Sequence, residues 1–157
     1  MKQRLLYIIF LMVLGVSCYA QGMMVIYTKF DTECLGVEED GTQTLRAWGS
    51  GKSKTDAQDQ ARKNAVRDVI FKGIRDGIEG FNMKPLVTEV NAREKYEDYF
   101  NRFFRDGGKY EKFVSNKDSK QKMKKIEKTD MGVRVALIVR VLRPKLKEQL
   151  EKDGILK

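Results

Sequence analysis

The chain has 157 residues, of which 41% are hydrophobic and 34% are charged, and this length and composition suit one folded domain. Lysine and arginine number 31 against 22 acidic residues, so the formal net charge is +9. The sequence contains no histidine, which excludes mechanisms that need an imidazole base or a histidine metal ligand. Ser-His-Asp and Cys-His hydrolases are thereby ruled out.

Residues 1–20 have the pattern of a secretory signal peptide. A basic start precedes an apolar run over residues 5–16, which is shorter than the roughly 20 residues that a membrane-spanning helix needs. Small residues then lead to Ala20, and cleavage before Gln21 would leave a single domain over residues 21–157. The segment predicts an exported protein that is periplasmic or associated with the outer membrane.

A lipoprotein is the alternative interpretation of this segment. Cys18 would then become a lipidated first residue, preceded by a suitable Ser17, whereas Gly15 stands where a large aliphatic residue is usual. If cleavage follows Ala20, Cys34 is the only cysteine left, so no internal disulfide can form. Cys34 is then either a small buried hydrophobe or one half of an intermolecular disulfide.

Hydrophobic alternation predicts two strands near the start of the mature chain, over residues 25–30 and 42–48, with an Asp-Gly turn at residues 39–41. A helix follows from Thr55, because Thr55 and Gln58 match a capping box, and it is predicted to end between residues 74 and 79. Its predicted buried stripe consists of Ala57, Ala61, Ala65, Val66, Val69, Ile70 and Ile74.

The second half of the chain predicts a further helix, a hairpin and a last helix. Residues 90–105 carry aromatic side chains at helical spacing, which is typical of a core. Residues 122–128 and 133–141 predict a hairpin, and Pro144 opens a final helix that ends at Gly154. The fold class is therefore α+β: an antiparallel sheet of about four strands, with two or three helices packed on one face.

No motif predicts catalysis, a metal or a cofactor. Gly51-Lys52-Ser53 resembles part of a phosphate-binding loop, but the first glycine of that motif would fall on Arg46, so no nucleotide is expected. Acidic groups such as residues 38–40 lie among lysines and arginines, as solvated surface charges do. Histidines, paired cysteines and a calcium loop are all missing from the sequence.

Basic residues gather around the predicted hairpin and form a candidate patch for an anionic polymer or a membrane surface. The patch consists of Lys117, Lys120, Lys122, Lys124, Lys125, Lys128, Arg134 and Arg140. It has little interleaved aromatic character, so no specific nucleic acid is expected. The alternative is that these lysines protect an edge strand from aggregation.

The segment 44–51, with Ala57, Ala61, Arg62 and Ala65 after it, resembles the N-terminal domain of flagellar assembly protein T and the related 20-kilodalton surface lipoproteins. Residues 61–69 look like the alanine-rich helix of that family, and the whole chain is similar to secreted proteins of Gram-negative gut anaerobes. The resemblance implies an envelope domain without catalysis that works by contact with other proteins. The resemblance also implies that the end of the strand in segment 44–51 is a candidate partner-facing surface, formed by Arg46, Trp48, Gly49 and Gly51.

The sequence thus predicts an exported, non-catalytic protein-interaction domain that serves as an accessory component of an envelope assembly. The alternative function is a cationic binder of anionic polymer or lipid headgroups through the lysine hairpin at residues 117–128.

We expect the mature protein to begin at Gln21, because the small residues before it suit a signal peptidase. Mass spectrometry of the intact exported protein tests this. A chain that begins at Cys18 with a lipid mass attached would contradict it.

Overall fold

The computed structural model describes residues 31–79, 83–115, 125–130 and 132–156. Within the chain, Thr32–Lys157 form one compact unit. The predicted strand over residues 25–30 and the lysines at positions 117, 120, 122 and 124 lie outside the described residues.

Six strands, four α-helices and two short helical segments of other types make up the described part of the chain. In chain order they are β1 (Glu33–Val37), β2 (Gln43–Gly51), α1 (Lys54–Arg67), a π-helical segment (Asp68–Lys72), β3 (Asp76–Gly77), α2 (Ala92–Lys95), α3 (Glu97–Phe104), a 3₁₀ segment (Lys109–Phe113), β4 (Val114–Ser115), β5 (Lys125–Thr129), β6 (Gly132–Val141) and α4 (Arg143–Lys152). Among the described residues, no helix has the length and apolar character needed to cross a membrane.

The strands form one sheet in the order β3-β1-β2-β6-β4, with β5 also paired to β6. The predicted α+β class is confirmed. The sheet is mixed and not wholly antiparallel, because β1 and β3 are parallel while all other pairs are antiparallel. It also has more strands than the predicted four or so. The additional strands β3 and β4 are two residues long, too short to produce an alternating pattern in the sequence. Strand β1, which the sequence did not predict, takes the place beside β2.

Helix α1 begins two residues before the predicted capping box. Ser53 is the N-cap, and its Oγ accepts a hydrogen bond from the backbone N–H of Asp56 at 3.2 Å. In return, the Asp56 carboxylate accepts one from the Ser53 N–H at 3.0 Å. The prediction of a cap at Thr55 with Gln58 is therefore wrong. The capping box is formed by Ser53 and Asp56, with aspartate in the position that glutamate or glutamine usually takes.

Close contact between α1 and β2 sets the position of the helix on the sheet. A Cβ atom on Gly49 would overlap the carbonyl oxygen of Ala57 and the backbone nitrogen of Ala61. One on Gly51 would lie 2.7 Å from the backbone nitrogen of Ala57. The helix side of this contact is made by alanines that are fully buried, as the sequence predicts. Only residues without a side chain on the strand allow this approach.

The hydrophobic core lies on the same side of the sheet as α1. Every second residue of the two central strands points into it: Leu45 and Ala47 of β2, and Leu137, Val139 and Val141 of β6. The alternation predicted for β6 is confirmed. The final helix closes this core with Leu146 and Leu150, and Gly154 follows it at φ 73°.

The predicted aromatic helix is two helices, α2 and α3, which are separated at Tyr96 by a backbone conformation of φ −112° and ψ 31°. Phe100 and Phe103 of α3 are buried, and Phe103 stacks on Phe113 with ring centroids 6.0 Å apart. The prediction that this stripe belongs to the core is confirmed.

Polar contacts hold α1 to the aromatic elements. The Arg67 guanidinium lies 5.5 Å from the ring centroid of Phe104, and the Lys63 ammonium lies 5.7 Å from that of Tyr110. Lys63 also donates to the Asp106 carboxylate at 2.6 Å, which lowers the pKa of Asp106. The aliphatic stems of these cations therefore pack on rings while their charges remain solvated or paired.

We expect Gly49→Ala to lower the free energy of unfolding by about 3 kcal/mol, because the new methyl group meets helix backbone that cannot move independently. Gly36→Ala is the matched control, since a Cβ there has open space around it, and its effect should stay within about 1 kcal/mol. Urea denaturation followed by circular dichroism measures both. Equal stability of Gly49→Ala and the parent protein would contradict this account of the contact.

Gln43 is a polar residue in an apolar setting. It is fully buried at the start of β2, and neither amide atom of its side chain has a hydrogen-bond partner among the described residues. We expect Gln43→Met to raise the free energy of unfolding by about 1 kcal/mol, because it removes an unpaired amide at similar volume. The half-exposed Gln58 provides the control, since Gln58→Met should change stability little. A loss of stability in Gln43→Met would show that the amide is satisfied.

Candidate interaction surface

The four candidate residues at the end of β2 point alternately to opposite faces of the sheet. Gly49 and Gly51 face α1, and the packing described above explains their lack of side chains. Arg46 and Trp48 face the other way, toward the face that we name the outer face. Paired residues of neighbouring strands share a face, so the outer face is defined by Thr44, Arg46, Trp48, Ser50, Lys125, Glu127, Arg134, Ala136, Ile138 and Arg140.

The outer face brings together residues from the two sets that the sequence singled out separately. Trp48 pairs with Ala136, and Ala136 pairs with Lys125, so the three form one row across the sheet. The Lys125 ammonium lies 5.9 Å from the centroid of the Trp48 ring. In the next row, Arg134 Nε donates to the Ser50 hydroxyl at 3.3 Å. The strand end and the basic hairpin are therefore neighbours in the fold.

Accessibility differs along this surface. The Trp48 residue is only 9% exposed, so its indole is a support for Lys125 and contributes little accessible area. The side chain of Lys125 is 59% exposed and that of Arg140 is 39% exposed. A partner on this face would meet the cationic side chains first.

Most cations of the outer face have a carboxylate beside them. Three ion pairs link or flank its strands: Arg46 with Glu33 at 2.7 Å, Arg140 with Glu38 at 3.0 Å, and Lys125 with Glu127 at 3.1 Å. Pairs this exposed contribute little to stability, but they offset much of the positive potential. Among the described residues, the surface is thus mixed in charge.

Strand β5 adds an edge to the outer face. Among the described residues it pairs with β6 alone, so its second edge has no strand partner there. Ile126 is 45% exposed, and Lys128 is exposed beside it. Lys128 pairs with Val133 and so points to the opposite face from Lys125. The described hairpin lysines are therefore divided between the two faces of the strand.

The remaining candidate residues do not form a second site. Ala20 and Gln21, at the predicted cleavage point, precede the described residues, as does Cys18. Cys34 is fully buried in the core, and its thiol lies 3.7 Å from the carbonyl oxygen of Gly36. Within the described ranges, no group of acidic or cysteine side chains is arranged to hold a metal ion.

Sequence reasoning missed the carboxylates that balance this surface and the exposed Ile126. Glu33 lies on β1, a strand of five residues in which the apolar Cys34 and Leu35 are adjacent, so no alternation marks it. Glu38 lies beside the Asp-Gly turn, and its contact with Arg140 joins residues about 100 positions apart in the sequence. For Ile126, the signal was present: it is the one large aliphatic residue in a run of lysines on a predicted edge strand.

A scan against protein-family models, a search of curated proteins and a search of solved structures found no match to this chain. The resemblance to the flagellar assembly and surface lipoprotein domains therefore stays a prediction from the segment 44–69.

Proposed function

We propose that the protein is an exported, non-catalytic interaction domain that contacts a protein partner through the outer face and the adjoining edge of β5. The observation that carries the proposal is the row of Trp48, Ala136 and Lys125, which joins the strand end to the basic hairpin. Two segments that are far apart in the sequence meet in this row, and Lys125 is its exposed member, since Ala136 is 2% exposed and Trp48 is 9% exposed.

The distribution of charge favours a protein over a bare anionic polymer. A polymer or lipid surface attracts cations through counterion release, and carboxylates among the cations weaken that attraction. Arg46, Arg140 and Lys125 each have a glutamate nearby, whereas a protein partner can present charges of both signs to such a surface. The mixed surface supports specific contact more than general adhesion.

The edge of β5 supplies a way for a partner strand to join the sheet. An extended segment that adds to a sheet edge gains backbone hydrogen bonds, and side chains next to that edge select its sequence. Ile126 and Lys128 lie on the same face of β5 and offer an apolar contact and a cation to the partner, whereas Lys125 lies on the opposite face and is paired with Glu127. Lysines on an edge also discourage pairing between copies of the chain itself.

Export is part of the proposal and rests on the signal-like residues 1–20. In this interpretation the partner belongs to the cell envelope, and the domain serves as an accessory component of an assembly there. The resemblance to the flagellar and surface lipoprotein domains points to the same kind of role.

We expect Ile126→Asp to reduce retention of a discrete envelope protein at least tenfold when the purified chain is immobilised and exposed to envelope extract. Ile78→Asp is the matched control, because Ile78 is a similarly exposed isoleucine (49%) outside the outer face and β5. Thermal melts of both variants establish that each is folded. Equal retention by Ile126→Asp, or no retained protein with the parent chain, would count against the proposed function.

The polymer alternative predicts a different result from the same protein. Under it, the chain would stay on heparin at about 0.15 M salt, and replacing Lys125 and Arg134 with glutamine would release it. We expect weak heparin retention instead, because the described cations of the outer face are largely paired.

A further inference from the structure

A pocket of about 490 Å³ lies where α3 and the 3₁₀ segment approach the end of α4. Gly107, at φ 67°, reverses the chain after α3 and brings Lys109 and Lys112 near Arg102 and Arg105. The pocket is separate from the outer face and shares no residue with it. Its volume falls in the range of small-molecule sites, about 300–1,000 Å³.

The charge of this pocket is strongly unbalanced. Four cations line it, against one carboxylate, that of Asp153. Asp153 is already engaged, since it accepts hydrogen bonds from the Tyr99 hydroxyl at 2.7 Å and from Lys109 at 3.2 Å. Burial alone would raise the pKa of Asp153, but the hydrogen bonds from Tyr99, Gln149 and Lys109 outweigh it and lower that pKa. Asp153 is therefore ionised at neutral pH and holds Lys109.

The other three cations are available. The side chains of Arg102, Arg105 and Lys112 make no hydrogen bond or ion pair with any residue in the described part of the chain. Cations of like sign that line one pocket repel each other, and an anion between them removes that repulsion. Guanidinium groups also present paired N–H donors in the geometry that phosphate and carboxylate oxygens accept.

The pocket has an aromatic wall beside these cations. The accessible part of this wall is the half-buried ring of Tyr99, and the almost fully buried Phe103 supports it, with the two ring centroids 5.8 Å apart. Burial, and to a smaller extent the hydrogen bond to Asp153, raises the pKa of Tyr99. Its hydroxyl therefore keeps its proton and remains a donor. A ligand with an apolar part can rest on this wall while its anionic group meets the cations.

We propose that this pocket binds an organic phosphate, with the phosphate group among Arg102, Arg105 and Lys112 and the organic part against the Tyr99 ring that Phe103 supports. A phosphate monoester carries about −1.5 to −2 charges at pH 7, which matches three unpaired cations better than a single carboxylate does. A bare phosphate would fill only a small part of the volume and would leave the aromatic wall unused.

Isothermal titration calorimetry of the full purified chain with phenyl phosphate tests the proposal. We expect binding that R102Q combined with R105Q weakens at least tenfold, because each lost charged hydrogen bond removes about one order of magnitude in affinity. R75Q is the matched control, since Arg75 is an exposed arginine outside the pocket, and it should bind as the parent does. Inorganic phosphate should compete, but more weakly, because it cannot contact the rings.

Three results would overturn the proposal: no binding of phenyl phosphate, equal binding by the double variant, or benzoate binding as tight as phenyl phosphate. Vesicles identify the source of the phosphate group once binding is seen. Retention on phosphatidic acid vesicles that depends on Arg102 and Arg105 supports a lipid headgroup as the natural ligand. Binding of phenyl phosphate without vesicle retention supports a free phosphate ester. Circular dichroism of the double variant shows whether any loss of binding reflects unfolding.

Discussion

The backbone contact between α1 and β2 is the constraint on which the rest of the structure depends. Gly49 and Gly51 allow the helix to lie against the strand, and the buried alanines of α1 complete the contact from the other side. With no side chains between them, small shifts of the helix along the strand would create overlap or voids. The helix therefore has one position on the sheet, and this position determines where the elements that pack on the helix lie.

This contact also divides the protein into two chemically different sides. On the α1 side, α3, α4 and the central strands share one apolar core, which extends to Phe103 and Leu150. The outer face carries charged residues, and its neighbouring carboxylates come from β1, β5 and the β1–β2 turn. Alternation along β2 and β6 places each side chain on one side or the other, so a shift of one residue in register would exchange them.

The sequence was sufficient where a repeating pattern carries the structure. The alanine stripe of α1 and the alternation of β6 each extend over about ten residues, and Pro144 and Gly154 mark the two ends of α4. It was insufficient where structure depends on distant partners. Strand β3 has two residues and exists because Gly77 can lie against the backbone of Cys34. The N-cap is Ser53 and not Thr55, because the short side chain of Asp56 closes a capping box where glutamate or glutamine is usual.

The same distinction explains which candidate sites the sequence could indicate. The lysine cluster is easily seen in the sequence, yet the fold places Glu127 of β5 beside its Lys125 and Glu38 of the β1–β2 turn beside its Arg140. The cations of the pocket are spread over residues 102–112 and interrupted by two glycines, so no helical or strand period marks them.

The pocket differs from the outer face in how many of its cations are paired with a carboxylate. The two have similar numbers of described cations, but in the pocket three of them lack a carboxylate. Cations that the fold gathers around one pocket repel one another, and a bound anion would offset that repulsion. Among the described residues, the pocket is therefore the place where an anion would meet the most cations that no carboxylate pairs with.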